Sequence, residues 1–325
     1  MCTSIALFQG AGYFGRNLDL DCNFGEQVVV TPRHFPLRFR RLPAMTEHYA
    51  MIGMANLADG VPMYAEAANE KGVYMAGLNF PGNAWFPPEV SPRYDAVTPY
   101  ELIPWLLGSC ASLTEVRKKL ANFRPLGVSF RQGLPLAPLH WHIADRTGAL
   151  VLETTRDGVA LYEDPVGVLT NNPPFPFHQM NLNQYQGLSA RPVENRFAPD
   201  APLSAFGQGM GAIGLPGDSS PASRYVKAAF HKLNTPDPGE DSGRVAQFFH
   251  LLDAVAMVRG SVITPEGKYD ITTYACCFSA ETGTYYYKTY DNNRLTAVRL
   301  RPGSLEGGEL RSYPLRTGQD VFFEN

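Results

Sequence analysis

Short apolar runs with a strand-like character dominate the first third of the chain. Residues 3–8, 27–31, 51–55 and 73–78 read as strands, separated by turn signals at Gln9-Gly10, Asp59-Gly60 and Glu70-Lys71-Gly72. The period then changes. Thr98-Pro99-Tyr100-Glu101 places a capping Thr before a proline at the first helical position and a Glu at the third. Ser112-Leu113-Thr114-Glu115 repeats the capping-box pattern and predicts a second helix ending near Phe123, with Gly108-Ser109 breaking the run between the two. Strand patterns return over residues 140–145, 150–154 and 159–162, with Arg146-Thr147-Gly148 as a tight turn. Ser220-Pro221 opens a third helix reaching about Leu233. Asp241 or Ser242 is expected to cap a fourth, in which Val245, Phe248, Phe249, Leu252 and Val255 recur at helical spacing. Residues 271–276, 284–290 and 295–299 close the chain as strands.

The order is strands, helix pair, strands, helix pair, strands. Such segregation argues for antiparallel sheets covered by helices and against alternating βαβ units. No internal repeat or composition break marks a linker, so residues 1–325 are expected to form a single domain. Residues 173–218 are rich in Pro, Gly and Asn. That stretch is too long for a plain connector and predicts functional loops or an assembly arm.

Composition changes this picture little but excludes several functions. With 44% hydrophobic residues, the chain can bury a core without disulfides or a structural metal. Net charge is 28 − 31 = −3, and the densest basic run, Arg38-Phe39-Arg40-Arg41, is short. It reads as solvated surface, so no nucleic-acid partner is expected. No apolar stretch approaches the ~20 residues that cross a bilayer. A secretory signal pattern is also missing, which leaves the cytoplasm as the expected location. Five cysteines, odd in number and without zinc-type spacing, fit a reducing compartment. There is no Gly-x-Gly-x-x-Gly, P-loop or His-Glu-x-x-His motif, and neither cofactor nor metal is expected.

Position 2 carries the chemistry. Cys2 follows Met1 and is small enough for the initiator methionine to be trimmed, which would leave a cysteine with a free α-amine. A thiol is a good nucleophile once ionised, and a neutral α-amine, with an unperturbed pKa of about 8, is the nearest base. No catalytic histidine is then needed, in keeping with the lack of a Cys–His signature. The other reading is an incidental cysteine on the first strand. Downstream, Arg16 and Asp19 straddle the end of what should be a hairpin's second strand, returning the chain to Cys2. Arg16 could favour the thiolate and Asp19 could accept a hydrogen bond from the amine; or the two could form a structural ion pair. Asn79, before Phe80-Pro81-Gly82, and Asn171, before Asn172-Pro173, end strands where an amide hydrolase needs oxyanion donors. Asparagine before proline is also an ordinary turn residue. Arg224, one turn inside the Ser220 helix, could be a surface charge or reach the site.

Several segments together resemble one family: Met1-Cys2-Thr3-Ser4, Phe14-Gly15-Arg16-Asn17-Leu18-Asp19, Asn69-Glu70-Lys71-Gly72, Ala76-Gly77-Leu78-Asn79-Phe80-Pro81-Gly82, Gly167-Val168-Leu169-Thr170-Asn171-Asn172-Pro173 and Gly214-Leu215-Pro216-Gly217-Asp218. They are similar to the choloylglycine hydrolases, which include conjugated bile salt hydrolase and penicillin V acylase, within the N-terminal-nucleophile superfamily. The resemblance runs from residue 1 to the aromatic strands near residue 290. It implies an α+β fold, a four-layer αββα sandwich of two antiparallel sheets between helical layers, assembled as a homotetramer. It implies Cys2 as nucleophile, Arg16 and Asp19 as partners of its thiol and amine, Asn171 as the oxyanion asparagine and Arg224 as the active-site arginine. Asn79 stands where bile salt hydrolases typically carry asparagine and some penicillin acylases tyrosine. No propeptide precedes Cys2, so methionine removal alone is expected to mature the enzyme. The implied activity is cleavage of glycine- or taurine-conjugated bile salts through a Cys2 thioester; the alternative is penicillin V or another acyl amide. Phe24, Trp85, Phe86, Phe130 and Leu134 are candidates, by loop position, for covering the acyl group.

Overall fold

The structure, a computed structural model, describes residues 1–325 except for the side chain of Ser304. Six strands come first: β1 (Cys2–Leu7), β2 (Tyr13–Leu20), β3 (Glu26–Thr31), β4 (Met51–Ala58), β5 (Val61–Asn69) and β6 (Tyr74–Asn79). A short strand β7 (Asp95–Val97) leads into α1 (Leu102–Leu107), α2 (Leu113–Leu120) and β8 (Phe123–Pro125). Then come β9 (Leu139–Asp145), β10 (Gly148–Thr155), β11 (Gly158–Glu163) and β12 (Val168–Leu169). The helices α3 (Phe175–Asn181), α4 (Pro221–Asn234) and α5 (Asp241–Asp253) precede β13 (Ile271–Ser279), β14 (Thr284–Thr289) and β15 (Asn292–Arg299). A helical turn α6 (Pro302–Leu305) and the edge strand β16 (Arg311–Pro314) end the chain.

Two large sheets result, in the strand orders β12-β1-β2-β13-β14-β15 and β11-β10-β9-β6-β5-β4-β3-β16. All their pairings are antiparallel. Helices α4 and α5 cover the first sheet at β1, β2 and β13, and α1 and α2 cover the second at β5, β6, β9 and β10. This is the expected αββα sandwich. Phe14 and Tyr74 stack across the two sheets, ring centroids 5.7 Å apart, and a second core around Trp105 and Trp141 fills the space under α1 and α2.

Local chemistry explains most boundaries. Asp59 and Gly60 both adopt positive φ, 51° and 76°, the requirement of a two-residue turn between Ala58 and its partner Val61. Ser112 caps α2 by accepting from the Glu115 amide. Ser220 does the same for α4 from Ser223, with Pro221 as the first helical residue. Half of the box predicted at Thr98 forms: Glu101 Oε2 accepts from the Thr98 amide at 3.1 Å, while the Thr98 hydroxyl has no hydrogen-bond partner among the described residues. The cap expected at Asp241 or Ser242 is absent. The helix already includes Asp241, and its carboxylate accepts instead from the hydroxyls of Tyr13 (2.8 Å) and Ser279 (2.5 Å).

Candidate active site

Register places the site. Cys2 opposes Leu18 across β1–β2, so the chain one residue further, at Asp19, donates its amide to Met1 O at 2.8 Å. On the other side of β1, Ser4 opposes Leu169 of β12. Continuing that antiparallel register brings Asn171 beside Cys2, and the Cys2 amide donates to Asn171 Oδ1 at 2.9 Å. The short strand β12 thus delivers the asparagine, and the β1–β2 hairpin delivers Arg16 and Asp19.

Arg224 locks this arrangement. It is 2% exposed, so it is not a surface charge. Its Nη2 donates to Asn171 Oδ1 at 2.7 Å, and its Nη1 donates to Thr3 Oγ1 at 2.6 Å and to the Cys2 carbonyl at 2.5 Å. With two donors on Oδ1, the Asn171 amide can have only one orientation. One Nδ2 hydrogen goes to the Asn79 carbonyl at 2.7 Å, and the second has no acceptor among the described residues. His178 Nε2 meets the Asn171 carbonyl at 2.9 Å and His140 Nε2 the Thr170 carbonyl at 3.0 Å, fixing the backbone on both sides. Burial keeps His178 below its ordinary pKa. That favours a neutral ring, which can donate only one hydrogen.

Asp19 is fully buried. Its Oδ1 accepts from Thr272 Oγ1 at 2.6 Å. Its Oδ2 has no hydrogen-bond partner among the described residues and lies 4.0 Å from Arg224 Nη1. Burial pushes this carboxyl up from the ordinary aspartate range, against the pull of Arg224 and the N-terminal amine. Arg16, also fully buried, reaches across to the second sheet and donates to the carbonyls of Gly77 and Ala65. Its carboxylate neighbour is Glu66, at 3.8 Å. The structural ion pair between Arg16 and Asp19 is therefore not formed; each faces a different partner.

Cys2, Arg16 and Asn79 lie on the wall of a cavity of about 340 Å³ whose remaining lining is mostly apolar. Phe24, Phe130 and Leu134 line it as expected. Trp85 and Phe86 do not: the Trp85 amide is tied to the Thr154 carbonyl, and Phe86 packs on Trp141 in the outer core. Leu18, Leu20, Met63 and Leu139 take their place; they lie on β2, β5 and β9, away from the loop positions expected to cover the acyl group. Arg40, from the basic run at 38–41, is on the surface as expected, but its Nε donates to the Tyr100 hydroxyl at 2.9 Å and its Nη2 to the Ser129 carbonyl at 3.3 Å. It thereby holds the loop carrying Phe130. Among the described residues no cluster of three or more His, Cys, Asp or Glu side chains is arranged to hold a metal ion.

Comparison with known proteins agrees with this geometry. Residues 2–313 match the model of the linear amide C–N hydrolases, choloylglycine hydrolase family. The chain belongs to that family. It is 43% identical over its whole length, and that of the relative, to the bile salt hydrolase/transferase of Lactiplantibacillus plantarum. It superposes with a TM-score of 0.94 and 37% identity, both chains fully covered, on the C2A mutant of conjugated bile acid hydrolase from Clostridium perfringens. A penicillin V acylase from Agrobacterium tumefaciens shares the fold at TM-score 0.77 and 15% identity, over 98% of this chain and 92% of its own. Members of the family hydrolyse linear amide C–N bonds. Of the six candidate residues, Cys2, Arg16 and Asn79 line the cavity, while Asn171 bonds to Cys2, Asn79 and Arg224 and Asp19 lies 4.0 Å from Arg224. Two participants in their network had no sequence signal pointing to them: Thr3 and Thr272, which hold Arg224 and Asp19.

Replacing Arg224 by Ala removes the donor that orients Asn171 and leaves Asp19 without its nearby guanidinium. Breaking a buried charge pair in this way costs about 3–5 kcal/mol. We expect a clear fall in unfolding temperature together with a loss of turnover. Arg224→Lys should restore part of the stability but little of the rate, because an ammonium cannot bind Asn171 and Thr3 as a fork. Thermal unfolding and steady-state kinetics of both variants check this; a lysine variant with normal kcat would show that Asn171 needs no such lock.

Proposed function

We propose that this choloylglycine-family hydrolase cleaves the amide bond of bile acids conjugated to glycine or taurine, with Cys2 as nucleophile once Met1 is removed. The observation that carries the reading is the placement of the Cys2 side chain on an apolar cavity, with Arg16 and Asn79 beside it and the Asn171 amide locked alongside. The apolar wall suits a steroid acyl group, and relatives at full-length similarity are named for bile salts.

The steps follow from the groups present. Trimming Met1 would convert the Cys2 amide, which donates to Asn171 Oδ1 at 2.9 Å, into an α-amine, and Asp19, whose Oδ2 has no hydrogen-bond partner among the described residues, is its proposed acceptor. The neutral amine takes the thiol proton, directly or through a water molecule, and the sulfur attacks the amide carbonyl. The Asn171 Nδ2–H left free and the Asn79 side chain donate to the developing oxyanion, the charge that such donors stabilise most. The amine then passes its proton to the leaving nitrogen as the C–N bond breaks, releasing glycine or taurine and leaving a thioester on Cys2. A water that gives its proton to the same amine attacks the thioester and frees the bile acid. Arg16 supplies fixed positive charge near the sulfur throughout. The reaction requires no cofactor.

No helix among the described residues is long and apolar enough to cross a membrane. The enzyme is proposed to act in the cytoplasm as a homotetramer. Support for assembly comes from the segment at 173–218, where Phe197 and Phe206 are more than 90% exposed and Leu203 and Ile213 more than half exposed. Further copies of the chain would cover such side chains.

The choice of acyl group is tested by parallel assays on glycocholate, taurocholate and penicillin V. The bile conjugates should be hydrolysed with the larger kcat/KM by at least tenfold, on the basis of Asn79 and the apolar cavity wall. A kcat/KM for penicillin V equal to or above that for both bile conjugates contradicts the assignment.

A further inference from the structure

Behind Arg16 lies a group that the steps above do not use. Glu66, in the middle of β5, has no exposed surface. Its Oε2 accepts from the Tyr274 hydroxyl at 2.8 Å. Its Oε1 accepts from the Tyr285 hydroxyl at 2.6 Å and faces Cys276 Sγ at 3.6 Å. These partners belong to the opposite sheet, so the carboxyl group is held from β13 and β14 across the sandwich. Arg16 Nη1 lies 3.8 Å from Oε2.

A guanidinium does not give up its proton in a protein, and a fully buried one needs an anion close by. The carbonyls of Asn17, Ala65 and Gly77 accept hydrogen bonds from Arg16 but carry no charge. Among the described residues, Glu66 is the carboxylate within 4 Å of it, and Arg16 Nη2 is buried without a partner. The guanidinium thus has Glu66 at 3.8 Å and shares the cavity wall with Cys2, with which its charge interacts.

We infer that Glu66 is a positioning residue for this reaction: it anchors Arg16 from behind and offsets part of the charge that Arg16 presents to the Cys2 sulfur. The inference rests on the reading of Cys2 as nucleophile. Glu66 acts through Arg16 and touches no substrate. The titratable and charged groups facing it are Arg16 on β2, Tyr74 on β6, Tyr274 and Cys276 on β13, and Tyr285 on β14. Those acting on Cys2 are Arg16 and Arg224, with the α-amine set free by trimming. Burial pushes the Glu66 carboxyl up from its ordinary range, and Arg16 with the two tyrosine hydroxyls pulls it back.

The sign of the effect is fixed by this arrangement. A negative charge behind Arg16 disfavours the thiolate, so removing it should make the thiolate easier to form. Glu66→Gln keeps size and shape while deleting the charge. The test measures alkylation of Cys2 by iodoacetamide against pH in the trimmed enzyme, quantified on the N-terminal peptide, with the exposed Cys22 as an internal reference. In Glu66→Gln the Cys2 midpoint should move to lower pH by about one unit, the scale on which a neighbouring charge acts, while Cys22 stays unchanged. Glu66→Asn also deletes the charge and should move the midpoint the same way; it carries the test if the glutamine variant does not fold. A Cys2 midpoint that is unchanged or raised in a folded variant overturns the role of Glu66. Failure of the nucleophile reading has a different sign: a Cys2→Ser enzyme that still turns over.

Discussion

Cys2→Ser should fold and assemble like the parent and lose at least roughly a hundredfold in turnover, the scale of removing a main catalytic interaction. Serine keeps the size of cysteine and the α-amine exposed by trimming. Its hydroxyl holds its proton far more tightly than a thiol and is a weak nucleophile without a dedicated base. No buried histidine among the described residues stands in for that base: His140 and His178 meet the backbone carbonyls of Thr170 and Asn171, and His142 meets Ser4 Oγ at 2.9 Å and Asp164 Oδ2 at 3.2 Å. The substitution also leaves the hydrogen bonds around residue 2 in place, since Arg224 and Asn171 contact its backbone and not its sulfur. Fold and assembly should therefore survive, checked by circular dichroism and by light scattering. Near-normal kcat in protein verified to carry serine would remove the thiol from the mechanism.

Asn171→Ala should remove the proposed oxyanion donor, whose value is greatest when negative charge gathers on the carbonyl oxygen. Losing such a donor costs about 2.7–4 kcal/mol in the transition state, roughly 10²–10³ in rate. The deficit should appear mainly in kcat, with a smaller change in KM where KM approximates binding. Asn172→Ala is the control. Asn172 points elsewhere: its Nδ2 donates to the Pro81 carbonyl and its Oδ1 accepts from Asn83, both at 2.8 Å. Losing those bonds should loosen the loop after Asn79 and cost about 1 kcal/mol of stability, with less than a tenfold change in rate. Single-turnover acylation of both folded variants separates the two roles. Intact acylation in Asn171→Ala with none in Asn172→Ala would move the oxyanion assignment one residue along the chain.

Much of this site was legible because its residues lie on a strand hairpin with a simple register. The pairing of Cys2 with Leu18 follows from two apolar runs and the Gln9-Gly10 turn between them. The choice of Asn171 over Asn172 was not legible from spacing; it came from the family resemblance, and the physical distinction is the pair of donors on Asn171 Oδ1. Strand β5 escaped because Pro62 and Glu66 interrupt an Ala-rich run of modest strand propensity. A lone carboxylate there reads as solvent-facing; only the tyrosines arriving from the other sheet explain its burial. Trp85 and Phe86 lie on the loop after Asn79, close in sequence to the site. The amide tie from Trp85 to Thr154 turns that loop toward the outer face. Helix α3, inside the segment read as loops, is short and begins after two prolines with no side-chain cap to announce it.

The proposed reaction passes through a covalent bond between substrate and the first residue of the mature chain. Mixing purified enzyme with glycocholate, quenching in acid within milliseconds and measuring intact and peptide masses tests it most directly. The predicted result is a chain lacking Met1, with the cholyl group on the N-terminal peptide at Cys2 and released by hydroxylamine as a thioester should be. A cholyl group found on another residue with Cys2 free, or full activity in protein that retains Met1, would contradict it.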